Sequence, residues 1–262
     1  MKFKSIFGSA CLLVFASFVS TAQAGFTMLS DFNSNTGDIG FNQYNPLGGG
    51  TWSFPNGGYQ ITAAASPNPL VLGAGRAGSF PAGSFADVKL NWDLVDWDDS
   101  LDQAFGGAVR VNEIGPGTFD GYLFVYNTSE WQPGTSSSSI RIGRIENSRG
   151  FLLDRSDIEL DPTKDYRFEF TAVGNNFTGQ VFDLEDLTTA LASVQATDST
   201  YAAGQTALLV INWNDQLNGP ADATFDNFRA EVVPEPTSLM LGAISLTGLA
   251  GWCRRRKKAM RR

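Results

Sequence analysis

The sequence predicts an all-β fold, a single antiparallel β-sandwich formed by residues 25–232. Segments rich in Val, Ile, Tyr, Phe and Trp are short, and Gly and Pro interrupt them throughout. Several of these segments alternate apolar with polar residues, as strands with one buried face do. The predicted domain is long enough to bury one sizeable core, and sandwiches of this size are common as single units.

The first part of the predicted domain is the least regular. Residues 26–32 and 59–63 are predicted as strands because both are short and rich in strand-forming side chains. Gly48–Gly50 and the Asn56-Gly57-Gly58 sequence mark turns between them. Residues 67–78 contain prolines followed by several glycines and are predicted as a loop.

Periodicity is clearest from Asp87 onward. Val88, Leu90 and Trp92 alternate with polar residues, which predicts a strand with one buried face. The following residues, 96–102, are the densest group of carboxylates in the chain. Hard oxygen ligands suit calcium, and a calcium site is one interpretation of this group. A solvated acidic loop is the interpretation we favour, because the glycine and terminal glutamate of an EF-hand loop are missing.

The second half of the domain continues the strand pattern. Further strands are predicted at residues 108–112, 121–126, 139–145, 156–160, 166–171, 177–182, 207–213 and 223–232. Gly174, Asn175 and Asn176 predict a tight turn that joins two of these strands into a hairpin. Residues 184–196 stay open between helix and strand, because leucines recur there at helical spacing within a β-type neighbourhood.

The residue inventory limits the catalytic chemistry available to the domain. The chain has no His, and its two Cys, Cys11 and Cys253, lie outside residues 25–232. Ser-His-Asp and Cys-His catalysis, His-ligated zinc and a disulfide within the domain are therefore excluded. We predict no catalytic residues, no metal centre and no required cofactor, with a structural calcium ion as the alternative.

One group of carboxylates supports an enzymatic alternative. Asp157, Glu159 and Asp161 fall on one side of a predicted strand, and glycoside hydrolases on sandwich folds need two carboxylates on one face. The interpretation we favour is a solvated strand edge, because apolar residues occupy the other side and Pro162 ends the strand.

Charge and aromatic content indicate the class of partner. The chain carries a net charge of −8, and both of its ends are basic, so the domain itself is more acidic than the whole. Such a field repels nucleic-acid phosphates and leaves neutral sugars or divalent cations as compatible partners. Four tryptophans are candidates for stacking on sugars, with core packing as the alternative: Trp52, Trp97, Trp131 and Trp213. Trp92 is predicted to lie in the core.

The N-terminal residues have the pattern of a secretory leader. A basic start and an uncharged run precede Ala22, Gln23 and Ala24, which give the small-x-small pattern of signal peptidase. Residues 1–24 are therefore predicted as a signal peptide that is removed before Gly25.

Residues 233–262 have a three-part organisation. Pro234 and Pro236 lack backbone N–H groups, so the chain around Glu235 is predicted to be extended and accessible to a protease. Residues 237–253 carry no charge, and a helix of about 25 Å would be slightly short of a hydrocarbon core of about 30 Å. A single marginal transmembrane helix is therefore predicted. A basic cluster, which stays on the cytoplasmic side, follows it: Arg254, Arg255, Arg256, Lys257, Lys258, Arg261 and Arg262.

These features, in this order, resemble the PEP-CTERM sorting signal of Gram-negative bacteria. The resemblance implies processing by exosortase, a membrane-embedded transpeptidase-like protease, after transient anchoring in the inner membrane. It also implies delivery of the domain to the outer envelope or the extracellular matrix. A plain, permanent single-span anchor is the alternative.

A second resemblance concerns the later part of the domain. Residues 160–170, the turn at residues 173–175 and the closing residues 223–228 together resemble concanavalin A-like, laminin-G-like jelly rolls. The resemblance implies that the first and last strands lie side by side, which would bring Asp31 near Asp226 or Asn227. A calcium ion or ordinary surface contacts are the two interpretations of that meeting.

We therefore predict an exported, non-enzymatic envelope or matrix protein that binds exopolysaccharide. The alternatives are a carbohydrate-active hydrolase on the same sandwich and a permanently anchored surface protein. The sequence supplies no ligand identity.

Overall fold

The computed structural model describes residues 27–33, 42–45, 50–64, 76–80, 83–112, 118–128, 138–212 and 220–233. These residues lie within one compact unit, Gly25–Glu235. They form two antiparallel β-sheets and one short 3₁₀ helix, Pro55–Gly57. The predicted all-β antiparallel sandwich is confirmed. Within the described ranges no helix is long and apolar enough to span a membrane.

Each sheet is assembled from strands that are distant in sequence. Sheet A contains β1 (Thr27–Ser30), β3 (Gly50–Ser53), β4 (Tyr59–Ala63), β6 (Val88–Trp97), β11 (Tyr166–Val173), β12 (Asn176–Asp183), β13 (Asp186–Thr197) and β15 (Ala221–Val232). Sheet B contains β2 (Asn42–Tyr44), β5 (Arg76–Phe80), β7 (Ala104–Asn112), β8 (Asp120–Asn127), β9 (Ser139–Glu146), β10 (Arg149–Asp157) and β14 (Gln205–Ile211). The strand order is β13-β12-β11-β6-β15-β4-β3 in sheet A, with β1 also paired to β15, and β10-β9-β8-β7-β14-β5-β2 in sheet B.

An aromatic core fills the space between the sheets. Trp92 of β6 stacks on Phe168 of β11 with ring centroids 5.4 Å apart, and Phe124 of β8 meets Trp92 edge-on from the facing sheet at 6.0 Å. All three side chains are fully buried. Burying a large apolar side chain stabilises a fold by roughly 1.5–3 kcal/mol, so this cluster alone is a major contribution. The alternation of residues 88–94 and 166–171 places the rings of Trp92 and Phe168 inward, as predicted.

Most of the predicted strands are present. The strand predicted at residues 59–63 matches β4, and the turn predicted at residues 174–176 joins β11 to β12, with Gly174 at φ 55°. Residues 184–196, left open between helix and strand, form most of β13. β13 pairs with β12 on one side only, and its exposed leucines, Leu187 and Leu191, explain why the apolar pattern was ambiguous.

Three parts of the strand prediction were wrong. The loop predicted at residues 67–78 overlaps β5, which begins at Arg76 and pairs with β14. The strand predicted at residues 156–160 is instead the end of a longer strand, β10, which stops at Asp157. The short strands β2 and β3 were not predicted. These elements share weak or absent alternation, because each is very short or partly exposed along its whole length.

The first and last strands lie side by side, as the jelly-roll resemblance implied. Leu29 pairs with Arg229 and Ser30 pairs with Phe228 in the antiparallel register of β1 and β15. β1 pairs with residues 228–231 of β15, and β4 pairs with residues 221–225 of the same strand. The pairing of β1 with β15 places Asp31 and Asn227 in the lining of one cleft.

Several predictions fall on residues outside the described ranges. They are those for Ala22, Ala24, Gly25, Trp131, Trp213, Pro234, Glu235, Pro236, Arg254, Arg255, Arg256, Lys257 and Lys258.

Candidate ligand-binding site

The outer face of sheet A is polar. Side chains alternate between the two faces of a strand, so the residues between the buried apolar positions of β6 and β11 point away from the core. In the register of these strands Asp93 lies opposite Arg167, and Asn91 lies opposite Glu169. On the other side of β6, Asn91 lies opposite Arg229 of β15. Polar side chains of three adjacent strands therefore meet on one surface.

Asp93 is the buried centre of this surface. It is 1% exposed, although it belongs to the polar side of its strand. Arg167 donates to both of its carboxylate oxygens, from Nε and from Nη2, the latter at 3.0 Å to Oδ2. Asn227 donates from Nδ2 to the same Oδ2 at 2.8 Å. The hydrogen-bonded carboxylate raises the pKa of Arg167, which keeps the guanidinium charged.

A β-bulge in β15 positions Asn227. The pairing register between β6 and β15 shifts between Asp226 and Arg229, and Asn227 adopts φ 48°. Asn tolerates this left-handed conformation better than most residues, and bulges redirect side chains next to binding sites. Here the bulge gives Asn227 a position from which it reaches Asp93. The Asp226 carboxylate accepts a hydrogen bond from the Asn227 backbone N–H at 2.7 Å, which holds the bulge in place.

A cleft of about 520 Å³ lies beside this network. Ligand sites for small molecules typically have volumes of about 300–1,000 Å³, so this cleft has room for a short stretch of saccharide. Its lining comes from β1, β6, β11 and β15 and from Asp31, which follows β1; the strand residues include Leu29, Asn91, Arg167, Asn227 and Arg229. The walls are therefore carried by strands of a sheet, which makes them rigid and preformed.

Charged groups of both signs lie in or beside the cleft, with Asp31, Arg167 and Arg229 in its lining. Burial raises the pKa of Asp226, and the neighbouring carboxylates of Asp93 and Asp31 raise it further. Arg229 is ion-paired with Glu231, so its charge is compensated by the protein itself. Hydrogen bonds from Asn33 lower the pKa of Asp31, which stays ionised at neutral pH.

The carboxylates predicted as possible catalytic groups do not meet in this cleft. Asp157 ends β10 and is ion-paired with Arg155, whereas Glu159 lies beyond the end of the strand. Asp161 accepts hydrogen bonds from the backbone N–H of Thr163 at 2.9 Å and from its hydroxyl at 2.7 Å, and so caps a turn. The shared strand face on which the enzymatic alternative depended is absent from this segment.

The acidic loop after β6 is solvated, as we favoured. Asp98, Asp99 and Asp102 are exposed, and so is Asp96, which lies within β6 and not in the loop as predicted. Asp98 accepts hydrogen bonds from the backbone N–H and hydroxyl of Ser100, at 2.9 and 2.5 Å. Across the described ranges no three acidic, His or Cys side chains gather closely enough to hold a metal ion.

The tryptophans in the described part of the chain contribute to the core. Trp92 and Trp97 are buried between the sheets, and Trp52 packs against the same cluster from β3. Burial of Trp97 favours the core interpretation for that residue, whereas Trp52 is half-buried, and stacking of a sugar on Trp52 stays a prediction. The network residues Asp93 and Arg167 were not identified from sequence, although they lie on the polar sides of the two most regular predicted strands.

Comparison with solved structures defines the class of fold. A carbohydrate-binding module, CBM66, from Bacillus subtilis covers 73% of this chain and 95% of its own, with a TM-score of 0.53 and 18% identity. The acidic lectin of winged bean, complexed with methyl-α-D-galactose, covers 79% and 98% with a TM-score of 0.54 and 9% identity. A prokaryotic β-1,3-1,4-glucanase (lichenase) from a mouse hindgut metagenome covers 79% and 99% with a TM-score of 0.53 and 12% identity. The described domain is thus a lectin-like jelly-roll sandwich.

The second comparison concerns the C-terminal residues. Residues 232–257 match the PEP-CTERM protein-sorting motif, which confirms the resemblance found in the sequence. The motif implies a secreted protein that exosortase processes. No curated protein matches the sequence.

Proposed function

We propose that this chain is an exosortase-sorted, exported protein that binds extracellular polysaccharide in the cleft on sheet A and does not cleave it. The observation that carries the proposal is the preformed cleft of about 520 Å³, whose wall is fixed by the Asp93–Arg167–Asn227 network. Arg167 and Asn227 are already held in place by Asp93, so they lose little conformational entropy when a ligand binds. This favours recognition of a hydroxyl-rich surface.

The proposed route begins with removal of residues 1–24 by signal peptidase after Ala24. Residues 237–253 then hold the chain in the inner membrane while the basic residues Arg254–Lys258 stay on the cytoplasmic side. Exosortase cuts near Glu235, and the domain is released to the outer envelope or the extracellular matrix. The described end of the sandwich is compatible with this order, because the backbone N–H of Val233 still bonds to the Asp87 carbonyl at 3.1 Å, one residue before Pro234.

Sorting is tested in cells that produce the full chain. Replacement of Pro234, Glu235 and Pro236 by Ala is expected to leave the protein in the membrane fraction, and mass spectrometry of the wild-type protein is expected to show a C-terminus near Glu235. Recovery of wild-type protein that still ends at Arg262 would contradict processing.

Binding is tested on a glycan array with protein purified from cells that produce the full chain. Arg167→Ala is expected to weaken binding at least about tenfold, because it removes one wall of the cleft and leaves the Asp93 carboxylate without its counter-ion. Arg149→Ala, an exposed change on sheet B, is the matched control. Equal binding by both variants would rule out the cleft as the site.

A hydrolase is the second candidate, because the lichenase has a similar fold and because burial raises the pKa of Asp226, the direction of shift that a general acid requires. Incubation of the purified protein with mixed-linkage β-glucan and chromatography of the products tests it. Cleavage that disappears in Asp226→Asn would establish this candidate and contradict the non-enzymatic proposal.

A further inference from the structure

We infer that Phe182, a half-buried aromatic residue on the outer face of sheet A, is a platform on which a sugar ring stacks, and that it extends the cleft towards β13. The protein would then bind a linear chain of equatorially linked sugars along its length and not a single terminal sugar. The inference rests on the proposed function and adds the class of the saccharide and a residue that contacts it.

Phe182 lies on the same face of sheet A as the cleft. Residues that lie directly opposite each other in antiparallel strands point to the same face of a sheet. Phe182 of β12 lies opposite Arg167 of β11, and Arg167 lies opposite Asp93 of β6. Arg167 is hydrogen-bonded to Asp93, so its side chain is directed towards β6 and away from β12. The ring of Phe182 is therefore the next side chain on this face beyond the Arg167 wall of the cleft.

The hydrophobic core does not account for Phe182. Val181 beside it is fully buried between the sheets, whereas Phe182 is half-buried and belongs to neither cluster of buried apolar residues in the described part of the chain. Apolar residues continue on β13, where Ala190 lies opposite Phe182 and where Leu187 and Leu191 are each 49% exposed. An apolar strip therefore lies next to the polar cleft.

The surface that Phe182 shares with the cleft is long. Leu29, which lines the cleft on β1, is 61% exposed. The register of five strands joins it to β12 through a row of residues on the outer face: Leu29, Arg229, Asn91, Glu169 and Gln180. This row crosses four strand spacings, or about 19 Å at about 4.8 Å each. A surface of this length suits a chain of several sugar rings.

A pyranose ring combines the two kinds of group that this surface offers. The C–H groups on one face of the sugar pack on an aromatic ring, whose face carries negative charge density. The hydroxyl groups at its edge donate and accept hydrogen bonds, and Gln180, two residues before Phe182 on the same face, presents an amide beside the ring. Equatorially linked chains form ribbons with exposed ring faces, so they suit an open sheet better than coiled chains do.

A second copy of this chain fits the same surface less well. The whole chain carries a net charge of −8, and its domain is more acidic still, so two domains repel each other. The pairing of β12 with β13 also shifts on both sides of Phe182. Such bulges make the edge of a sheet irregular, and they hinder its pairing with a strand of another molecule.

Calorimetry with three glucose oligomers tests the inference, using protein purified from cells that produce the full chain. The probes are the β-1,4-linked hexamer, its trimer, and the α-1,4-linked hexamer, which has the same composition but coils. The β-linked hexamer is expected to bind at least about tenfold more tightly than either of the others. Phe182→Ala is expected to weaken its binding about three- to tenfold, the effect of one aromatic contact, and to leave trimer binding in the cleft unchanged. Phe182→Trp is expected to retain hexamer binding.

Phe151→Ala is the control, because Phe151 is an aromatic residue of sheet B that is 43% exposed. Equal hexamer affinity of wild type and Phe182→Ala, an equal effect of Phe151→Ala, a preference for the α-linked hexamer, or no binding of the β-linked hexamer would each overturn the inference. Sedimentation that shows a dimer which Phe182→Ala dissociates would overturn it too, because Phe182 would then be a subunit contact.

Failure of this inference is distinguishable from failure of the proposed function. If glycans on the array bind in a way that depends on Arg167 while Phe182→Ala has no effect on them, this inference fails and the proposed function stands. If no glycan on the array binds, both fail.

Discussion

Arg110 of β7 donates a hydrogen bond from Nη2 to the backbone carbonyl of Gly174, 2.6 Å away, and so ties sheet B to the β11–β12 hairpin of sheet A. The same guanidinium donates to the carbonyls of Ala86 and Tyr201, at 2.8 and 3.1 Å. Arg110 is 1% exposed, and burial lowers its pKa, against an opposing effect of Asp87. One buried cation therefore joins three separate chain segments.

Loss of this cation is expected to destabilise the sandwich strongly. Arg110→Ala removes three hydrogen bonds to backbone carbonyls and the ion pair with Asp87, and removal of one partner from a buried ion pair typically costs about 3–5 kcal/mol. Chemical denaturation measures the change, with Arg149→Ala, an exposed arginine of β10, as the control. A loss below about 0.5 kcal/mol, the range of surface substitutions, would contradict the structural role of Arg110.

The stability of the fold is expected to depend on pH through Asp198. Its carboxylate accepts hydrogen bonds from the Tyr122 hydroxyl at 2.6 Å, from Arg144 at 2.8 Å and from the Thr200 backbone N–H at 2.8 Å. Burial raises the pKa of Asp198, but hydrogen bonds from Thr200, Tyr122 and Arg144 outweigh burial and lower it from 3.8 to about 2. Because the folded pKa lies below the unfolded one, the stabilisation is present above pH 3.8 and is lost as the pH falls towards 2.

The expected contribution of Asp198 is about 2 kcal/mol, from 1.36 kcal/mol per pKa unit. Asp198→Asn is expected to lower the free energy of unfolding at neutral pH by about this amount and to flatten its dependence between pH 4 and pH 2. Denaturation at a series of pH values checks both effects. Asp99→Asn, which changes an exposed carboxylate, is expected to leave the profile unchanged, and an identical profile for the two variants would contradict the assignment.

Strand positions were predicted best where one face of a strand is buried and the other is exposed to solvent. β6 and β11 meet that condition, and the alternation of residues 88–94 and 166–171 gave their location and their inward faces. β10 has no buried face of this kind, because its residues are exposed or half-buried along its length. β5 lies in a Gly-rich stretch and is recognisable only from its pairing with β14.

The sequence predicted only part of the candidate site. The jelly-roll resemblance predicted that Asp31 lies near Asn227, because it implies that the first and last strands pair. The alternation of residues in β6 predicts that Asp93 lies on the solvent-exposed face of the strand. In the structure Asp93 is buried beneath Arg167 and Asn227. Those two partners lie 74 and 134 residues away in the chain, and one of them depends on a bulge that no local pattern indicates.

Gly107 is expected to be intolerant of a side chain. A methyl group added there would lie 2.6 Å from Cζ3 of Trp92, inside the aromatic core. Overpacking of a well-packed core typically costs about 1–3 kcal/mol, which exceeds the gain of about 0.4–1 kcal/mol from restricting the unfolded chain. Thermal denaturation of Gly107→Ala is expected to show the loss. Gly143→Ala, whose nearest contact would be an ordinary 3.4 Å to Phe151, is expected to be neutral, and equal melting temperatures for the two variants would contradict this account of the core.

The Asp93–Arg167 pair is expected to be coupled more strongly than the ion pair beside it on the same two strands. Lys89 and Glu169 are 2.8 Å apart with side chains 34% and 24% exposed, and partly exposed pairs of this kind contribute about 0.2–1 kcal/mol. Asp93 is 1% exposed, so water does not screen its interaction with Arg167.

A double-mutant cycle on each pair, using Asn for Asp93, Gln for Arg167 and Ala for Lys89 and Glu169, measures the two coupling energies by denaturation. We expect about 1–3 kcal/mol for the buried pair, and a decrease in glycan affinity for Asp93→Asn and Arg167→Gln, because both release the wall of the cleft. The Lys89 and Glu169 variants are expected to retain affinity, since neither residue lines the cleft. Equal coupling energies would mean that burial does not strengthen the Asp93 interaction, and the cleft would then lack the rigid wall on which the proposed binding depends.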